Sequence, residues 1–156
     1  MKEKLKFNLN LVEIFLIIGV IVILAGIFLV AIDPNRRFTE ARNAQRWSSV
    51  DSLMNAFLNY RTDNKGAESV LLDNNTYYMI GTGTDARGCA AQTTAEVRDL
   101  APLVGNYITS VPIDPAAGTE SKTLYYIGRN RDALIVIGAC LSEKVDGLQP
   151  DISVRR

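Results

Sequence analysis

Four side chains carry the little chemistry this sequence offers: Asn10, Glu13, Cys89 and Cys140. Glu13 stands at the edge of an apolar run, because Ile14 to Ile32 is nineteen consecutive residues with no charge and no strongly polar side chain. A charged side chain at the centre of a membrane helix costs roughly 2.5–3.5 kcal/mol, and less near an end, so a carboxylate here asks for a partner or a purpose. Asn10 and Glu13 have the spacing of a capping box. In that arrangement the Asn10 side chain accepts from the Glu13 backbone N–H and the Glu13 side chain reaches back to Asn10, a gain of about 1 kcal/mol. The two cysteines both follow the apolar run and are expected to be bonded. A closed loop of about fifty residues would stabilise the domain around it by roughly 4 kcal/mol. Two unpaired buried thiols are the alternative.

The sequence offers almost nothing for catalysis. The chain has no histidine, which removes imidazole-based triads, imidazole metal sites and the usual haem-attachment motif. "GTGTDARG" from Gly81 has no following Lys-Ser or Lys-Thr and reads as a glycine-rich surface loop, not a phosphate loop. Asp73, Asn74 and Asn75 are adjacent and lack the alternation and glycine of a Ca²⁺ loop, so they read as a turn. Phe38, Trp47, Phe57 and Tyr60 read as core, not as an electron path. No enzyme, cofactor or metal site is expected.

The elements that must position these residues follow from periodicity. The apolar run is long enough at the helical rise to cross a bilayer. The eight residues before it, "MKEKLKFN", hold three lysines against one glutamate, a bias that keeps the N-terminus cytoplasmic and sends the remainder outward. A cleaved signal peptide has a shorter apolar region of about 7–15 residues; a plain single-pass anchor fits the run as well as a filament-forming helix does. Gly19 and Gly26, seven apart, lie near one helical face and would admit a second helix closely. Pro34 should break or kink the helix after Asp33. Beyond it Phe38, Ala41, Ala44, Trp47, Val50, Leu53, Met54, Phe57 and Tyr60 recur at three or four residues, predicting an amphipathic helix that ends near Asn64–Gly66.

The spacing therefore predicts an α+β chain: a long kinked N-terminal helix, apolar in its first half and amphipathic in its second, packed against a small antiparallel sheet. Residues 1–8 form a basic leader, 9–33 the apolar half, 34–64 the amphipathic half and 65–156 the head. Strands are predicted at Asn75–Ile80, Thr123–Gly128 and Ala133–Ala139, with "RNRD" as a hairpin turn and a short helix from about Thr94 to Leu100. The tail from Glu143 is left as loop or edge strand. Residues 36–61 carry a net +3 and residues 62–156 a net −3. Complementarity between helix and head, within or between subunits, accounts for this better than a nucleic-acid groove does, and nucleic acid is not indicated.

The lysine-bearing leader, then "LNLVEIFLIIGVIVILAGIFLVAIDP" running into "RRFTEARNAQRWSSVDSLMNAFLNY", closely resembles the N-terminal segment of type IV pilins and pseudopilins. "YITSVPIDPAAG", "LYYIG" and "ALIVIGAC" extend the resemblance more loosely over the head. The resemblance implies a structural subunit of an extracellular filament, a helical homo-oligomer. It also implies a prepilin peptidase that cleaves between Asn8 and Leu9, leaving 148 residues, and methylates the new N-terminus. Asn8 stands where the family carries glycine, and Leu9 where phenylalanine is usual. An inner-membrane platform and an assembly ATPase are the further partners implied, with the membrane holding the monomer and the head facing outward. Glu13 would then pair with the N-terminal amine of a neighbouring subunit. A pseudopilin of a type II secretion system and a membrane-anchored binding module are the alternative readings.

Overall fold

A computed structural model describes residues 10–84 and 87–156, with the side chains of 29–32 left aside. The leader, including the expected processing residues Asn8 and Leu9, lies outside the described residues. The chain divides into two compact units, Met1–Arg37 and Phe38–Arg156.

The first unit holds helix α1, Leu11–Ile32. Its 22 residues span about 33 Å, the thickness of a bilayer core. Asn10 is its N-cap residue, with extended backbone (φ −77°, ψ 150°), and its carbonyl accepts from the N–H of Glu13 at 2.9 Å and of Ile14 at 3.1 Å. The capping box expected of Asn10 and Glu13 does not form, since the Asn10 side chain makes no capping bond. The backbone carbonyl already takes the donor that the side chain would have satisfied. At the other end Asp33 adopts a left-handed conformation (φ 35°) and helix α2, Pro34–Asp63, begins at the proline. Asp33 also caps α2, its Oδ1 accepting from the Arg36 N–H at 3.4 Å and its carbonyl from Arg37 at 3.3 Å. The expected break thus falls at Pro34, where ring geometry and the missing N–H forbid a continuous ladder.

The second unit packs the rest of α2 against a five-stranded sheet, and the chain is α+β. In chain order the strands are β1 (Thr76–Ile80), β2 (Val97–Arg98), β3 (Tyr125–Arg129), β4 (Ile135–Ala139) and β5 (Ser153–Arg155), arranged β2-β1-β3-β4-β5. The pairs β1–β3, β3–β4 and β4–β5 are antiparallel, but β2 runs parallel to β1, so the sheet is mixed. No helix forms at 94–100. The Thr93 N–H donates to the Tyr77 carbonyl and its hydroxyl accepts from the Tyr77 N–H, so the chain is drawn alongside β1. The Thr94 hydroxyl takes the Glu96 N–H, a local turn that competes with helix. A short 3₁₀ turn, Ala101–Leu103, follows instead.

Alternation along the strands gives the sheet two covered faces. Tyr78, Ile80, Tyr125, Ile127, Ile135 and Ile137 meet Val50, Leu53, Met54 and Phe57 of α2. Met79, Tyr126 and Val136 on the opposite face are covered by Cys89, Leu124 and the chain around Cys140. Gly138 serves this second face, since a Cβ there would lie 2.4 Å from the Tyr126 hydroxyl. Helix α2 ends as a Schellman turn in which the Gly66 N–H reaches the Arg61 carbonyl at 2.7 Å. The first left-handed residue is Lys65 (φ 55°), one position ahead of the glycine.

The apolar stripe of α2 differs from the expectation in its first turns. Phe38 and Trp47 are 64% and 38% exposed, and the buried residues there are Asn43 and Arg46. Counting back from Val50 by seven and four residues gives Asn43 and Arg46, so the buried face follows the 3.6-residue period strictly and meets charge on its partner instead of carbon.

Candidate functional site

Two features of the chain stand out as candidates: the uncovered helix α1, and a charged clamp that fixes α2 to the loops of the head. The stretch Leu11–Phe28 of α1 is wholly unburied and is apolar enough to cross a membrane. A surface this size has to be taken out of water by lipid or by protein. A Cβ at Gly19 or Gly26 would meet nothing within 4 Å, so that face is open for close approach. Glu13 sits exposed in the first turn, and among the described residues none offers its carboxylate an ion pair.

The clamp has no local signature in the sequence. Its centre is Arg46, whose side chain is fully buried. The guanidinium grips Asp114 with both ends of its fork, Nε to Oδ2 at 2.7 Å and Nη2 to Oδ1 at 3.2 Å. Nη1 donates to Asn43 Oδ1 at 3.0 Å and to Glu143 Oε1 at 2.9 Å. Arg42, one turn earlier, holds the same Glu143 carboxylate through Nε at 2.6 Å and through Nη2. Asn43 completes the ring with the Glu143 backbone, its Nδ2 donating to the carbonyl at 2.8 Å and its Oδ1 accepting the N–H at 3.0 Å. Asp114 in turn accepts the N–H groups of Ala116 at 2.9 Å and Ala117 at 3.3 Å, folding "PIDPAAG" into a tight turn. Two cations face two anions, so the cluster is neutral, and its buried members Arg46 and Asp114 are paired, the condition under which burying charge is tolerated.

Hydrogen bonds from Arg42 bring the Glu143 carboxyl from its ordinary 4.5 down to about 2, against the opposing effect of burial. Burial lowers the Arg46 guanidinium, but its bonds to Asp114 and Glu143 outweigh that and leave it above its ordinary value. A carboxyl depressed on folding stabilises the fold above its unfolded value, and that contribution is lost as pH falls from about 4.5 toward about 2. After allowance for screening at a side chain 27% exposed, the contribution is on the order of 2 kcal/mol. In urea titrations of the full chain in micelles, the stability gap between wild type and Glu143→Gln should therefore be wide at pH 5 and narrow by pH 2.5. A gap that stays constant across this range would remove Glu143 from the clamp's energetics.

Cys89 and Cys140 are bonded to each other, 51 residues apart in sequence, as the sequence led one to expect. The bridge ties the loop before β2 to the end of β4, three residues ahead of Glu143. Disulfide and clamp therefore secure the same stretch of chain from opposite faces of the sheet. The "GTGTDARG" loop forms no open phosphate cradle among its described residues, because the N–H groups of Thr82 and Gly83 already donate to the carbonyls of Glu120 and Ser121. Asn75 takes a left-handed turn (φ 54°) and Asp73 accepts the Tyr78 hydroxyl at 2.6 Å. Among the described residues no three acidic, cysteine or histidine side chains gather as a metal site. Comparison with models of known families, with curated proteins and with solved structures finds no match.

Proposed function

We propose that this chain is the structural subunit of an extracellular type IV pilus-like filament, assembled through its apolar N-terminal helix. The observation that carries the reading is α1 itself: a helix of membrane-spanning length with no residue of Leu11–Phe28 buried, followed by a helix whose far end is built into a folded head. In the membrane, lipid covers α1. In the filament, copies of α1 cover one another, with Gly19 and Gly26 admitting close contact. Glu13 tolerates the edge of the lipid as a monomer and gains a neighbour's N-terminal ammonium on assembly, in a medium of low dielectric where such a pair is strong. The disulfide suits a head held in an oxidising compartment, outside the membrane, with the lysine-rich N-terminus inside.

The clamp has a part in this reading. A subunit packed by its helix and linked to its neighbours by its head must carry load from one to the other, and the buried Arg46 joins α2 to two separate loops at once. Electron microscopy of surface filaments sheared from the native host, labelled with antibody to residues 38–156, tests the proposal. Label along the length of filaments is the expected result. Label confined to the membrane fraction would instead make the chain a single-pass anchor presenting a binding head.

A further inference from the structure

The head contains a cavity of about 370 Å³ between the end of β1, the 3₁₀ turn and the 110–123 loop. Its wall is mainly carbon, from Leu100, Val104, Val111 and Ile113, and two acidic residues, Asp99 and Glu120, also line it. Neither carboxylate has an ion-pair partner among the described residues. Val104 and Ile113 remain 41% and 37% exposed, so the apolar wall opens to the outside. The size lies in the range of sites that enclose a small ligand or one bulky side chain.

The same chain presents a matching key. Phe38 is 64% exposed in the first turns of α2, follows Arg36 and Arg37 in sequence, and finds no place in the core of its own head. An aromatic ring beside guanidinium groups fits an apolar cavity lined by acidic residues, and Asp99 and Glu120, unlike Asp114 and Glu143, lie outside the clamp that takes up Arg42 and Arg46. We infer that the cavity is a docking site for a second copy of this chain, which inserts Phe38 with its flanking arginines facing Asp99 and Glu120. Lock and key are different surfaces, so the contact is heterologous and propagates from copy to copy instead of closing into a dimer. The inference rests on the filament reading and names the head contact within it.

The test places cysteines at both positions of the full-length chain, Phe38→Cys with Val104→Cys, the native cysteines being already bonded to each other. Mild oxidation of filaments from the native host should yield a ladder of disulfide-linked species, trimers and above, on non-reducing electrophoresis. Either single substitution should give no ladder, since two Cα atoms must come within about 7 Å to be bridged. Filaments that assemble but release only monomers would overturn the docking and leave the filament reading standing. A ladder obtained from Trp47→Cys with Val104→Cys, and not from Phe38→Cys, would overturn the choice of Phe38. Should the wild-type chain form no filament at all, both readings fall together. Asp99→Asn with Glu120→Gln decides the matter if the cysteine variant does not assemble. Asparagine can still accept the Ala101 N–H that Asp99 holds at 2.9 Å, so the head keeps its fold. Docking predicts at least a several-fold loss of filament yield at unchanged melting temperature, and an unchanged yield would overturn it.

Discussion

Glu13→Ala should lower the amount of this chain in sheared filaments by at least about tenfold, the equivalent of some 1.4 kcal/mol per contact, while the head melts at the wild-type temperature. The asymmetry follows from where the side chain sits. Glu13 lies in the first turn of an uncovered helix, in a different compact unit from the head core, and takes no part in that core. Its removal therefore leaves the folded head untouched. In an assembled array the same change would leave a neighbour's N-terminal ammonium without its partner in a poorly solvated core, where an unpaired charge is heavily penalised. Glu13→Gln should recover little, because the pairing depends on charge. Filament yield measured by shearing, beside thermal melting of the chain in micelles, separates the two effects. An unchanged yield would reduce Glu13 to a residue of the helix end.

Arg46→Ala has the opposite signature. Removing the cation at the centre of the clamp leaves Asp114, whose side chain is wholly buried, without its bidentate partner and deprives Glu143 of one of its two arginines. Breaking a buried pair in this way costs about 3–5 kcal/mol. That is enough to unfold a large part of a small head at physiological temperature, given a typical total of about 5–15 kcal/mol. Urea unfolding of the full chain in micelles should show the midpoint falling steeply. Asp114→Asn should cost less, since the amide oxygen still accepts one bond from Arg46. The cost of combining the two changes should be well below the sum of the singles, because both break one contact. Additive costs would show that Arg46 and Asp114 act independently.

The residues explain why some of the architecture is legible in the sequence and some is not. Helix α1 announces itself by length and the absence of charge, and the break at Pro34 by local sterics; both are local properties that no tertiary contact needs to supply. Strands β1, β3 and β4 are rich in tyrosine and isoleucine, and they lie where their composition suggests. β2 is two residues long and is set by its pairing with Met79 and Ile80 of β1, beside the bonds of Thr93 to Tyr77, sixteen residues earlier, which no propensity of "TAEVRDL" could reveal. β5 is likewise an edge held by β4.

Apolar periodicity locates the buried face of α2 at Val50, Leu53, Met54 and Phe57 but not in the first turns, where that face is polar at Asn43 and Arg46. The signal was present, since Arg46 lies four residues before Val50, in register with the core, and an arginine there requires an acid opposite. Its partners Asp114 and Glu143 lie 68 and 97 residues away, and nothing local marks them. The disulfide was legible because only two cysteines exist and both follow the membrane-length run. The Asn10 cap was legible as a position but not as a side-chain bond, the choice between carbonyl and amide oxygen being settled by backbone geometry.

The most direct test is the intact mass and N-terminal sequence of this chain taken from sheared filaments of its native host. The chain there should have 148 residues and begin at a methylated Leu9, which would put a free N-terminus within reach of a neighbour's Glu13. Filaments that do not contain the chain, with the whole of it recovered from the membrane, would show that it is not a filament subunit.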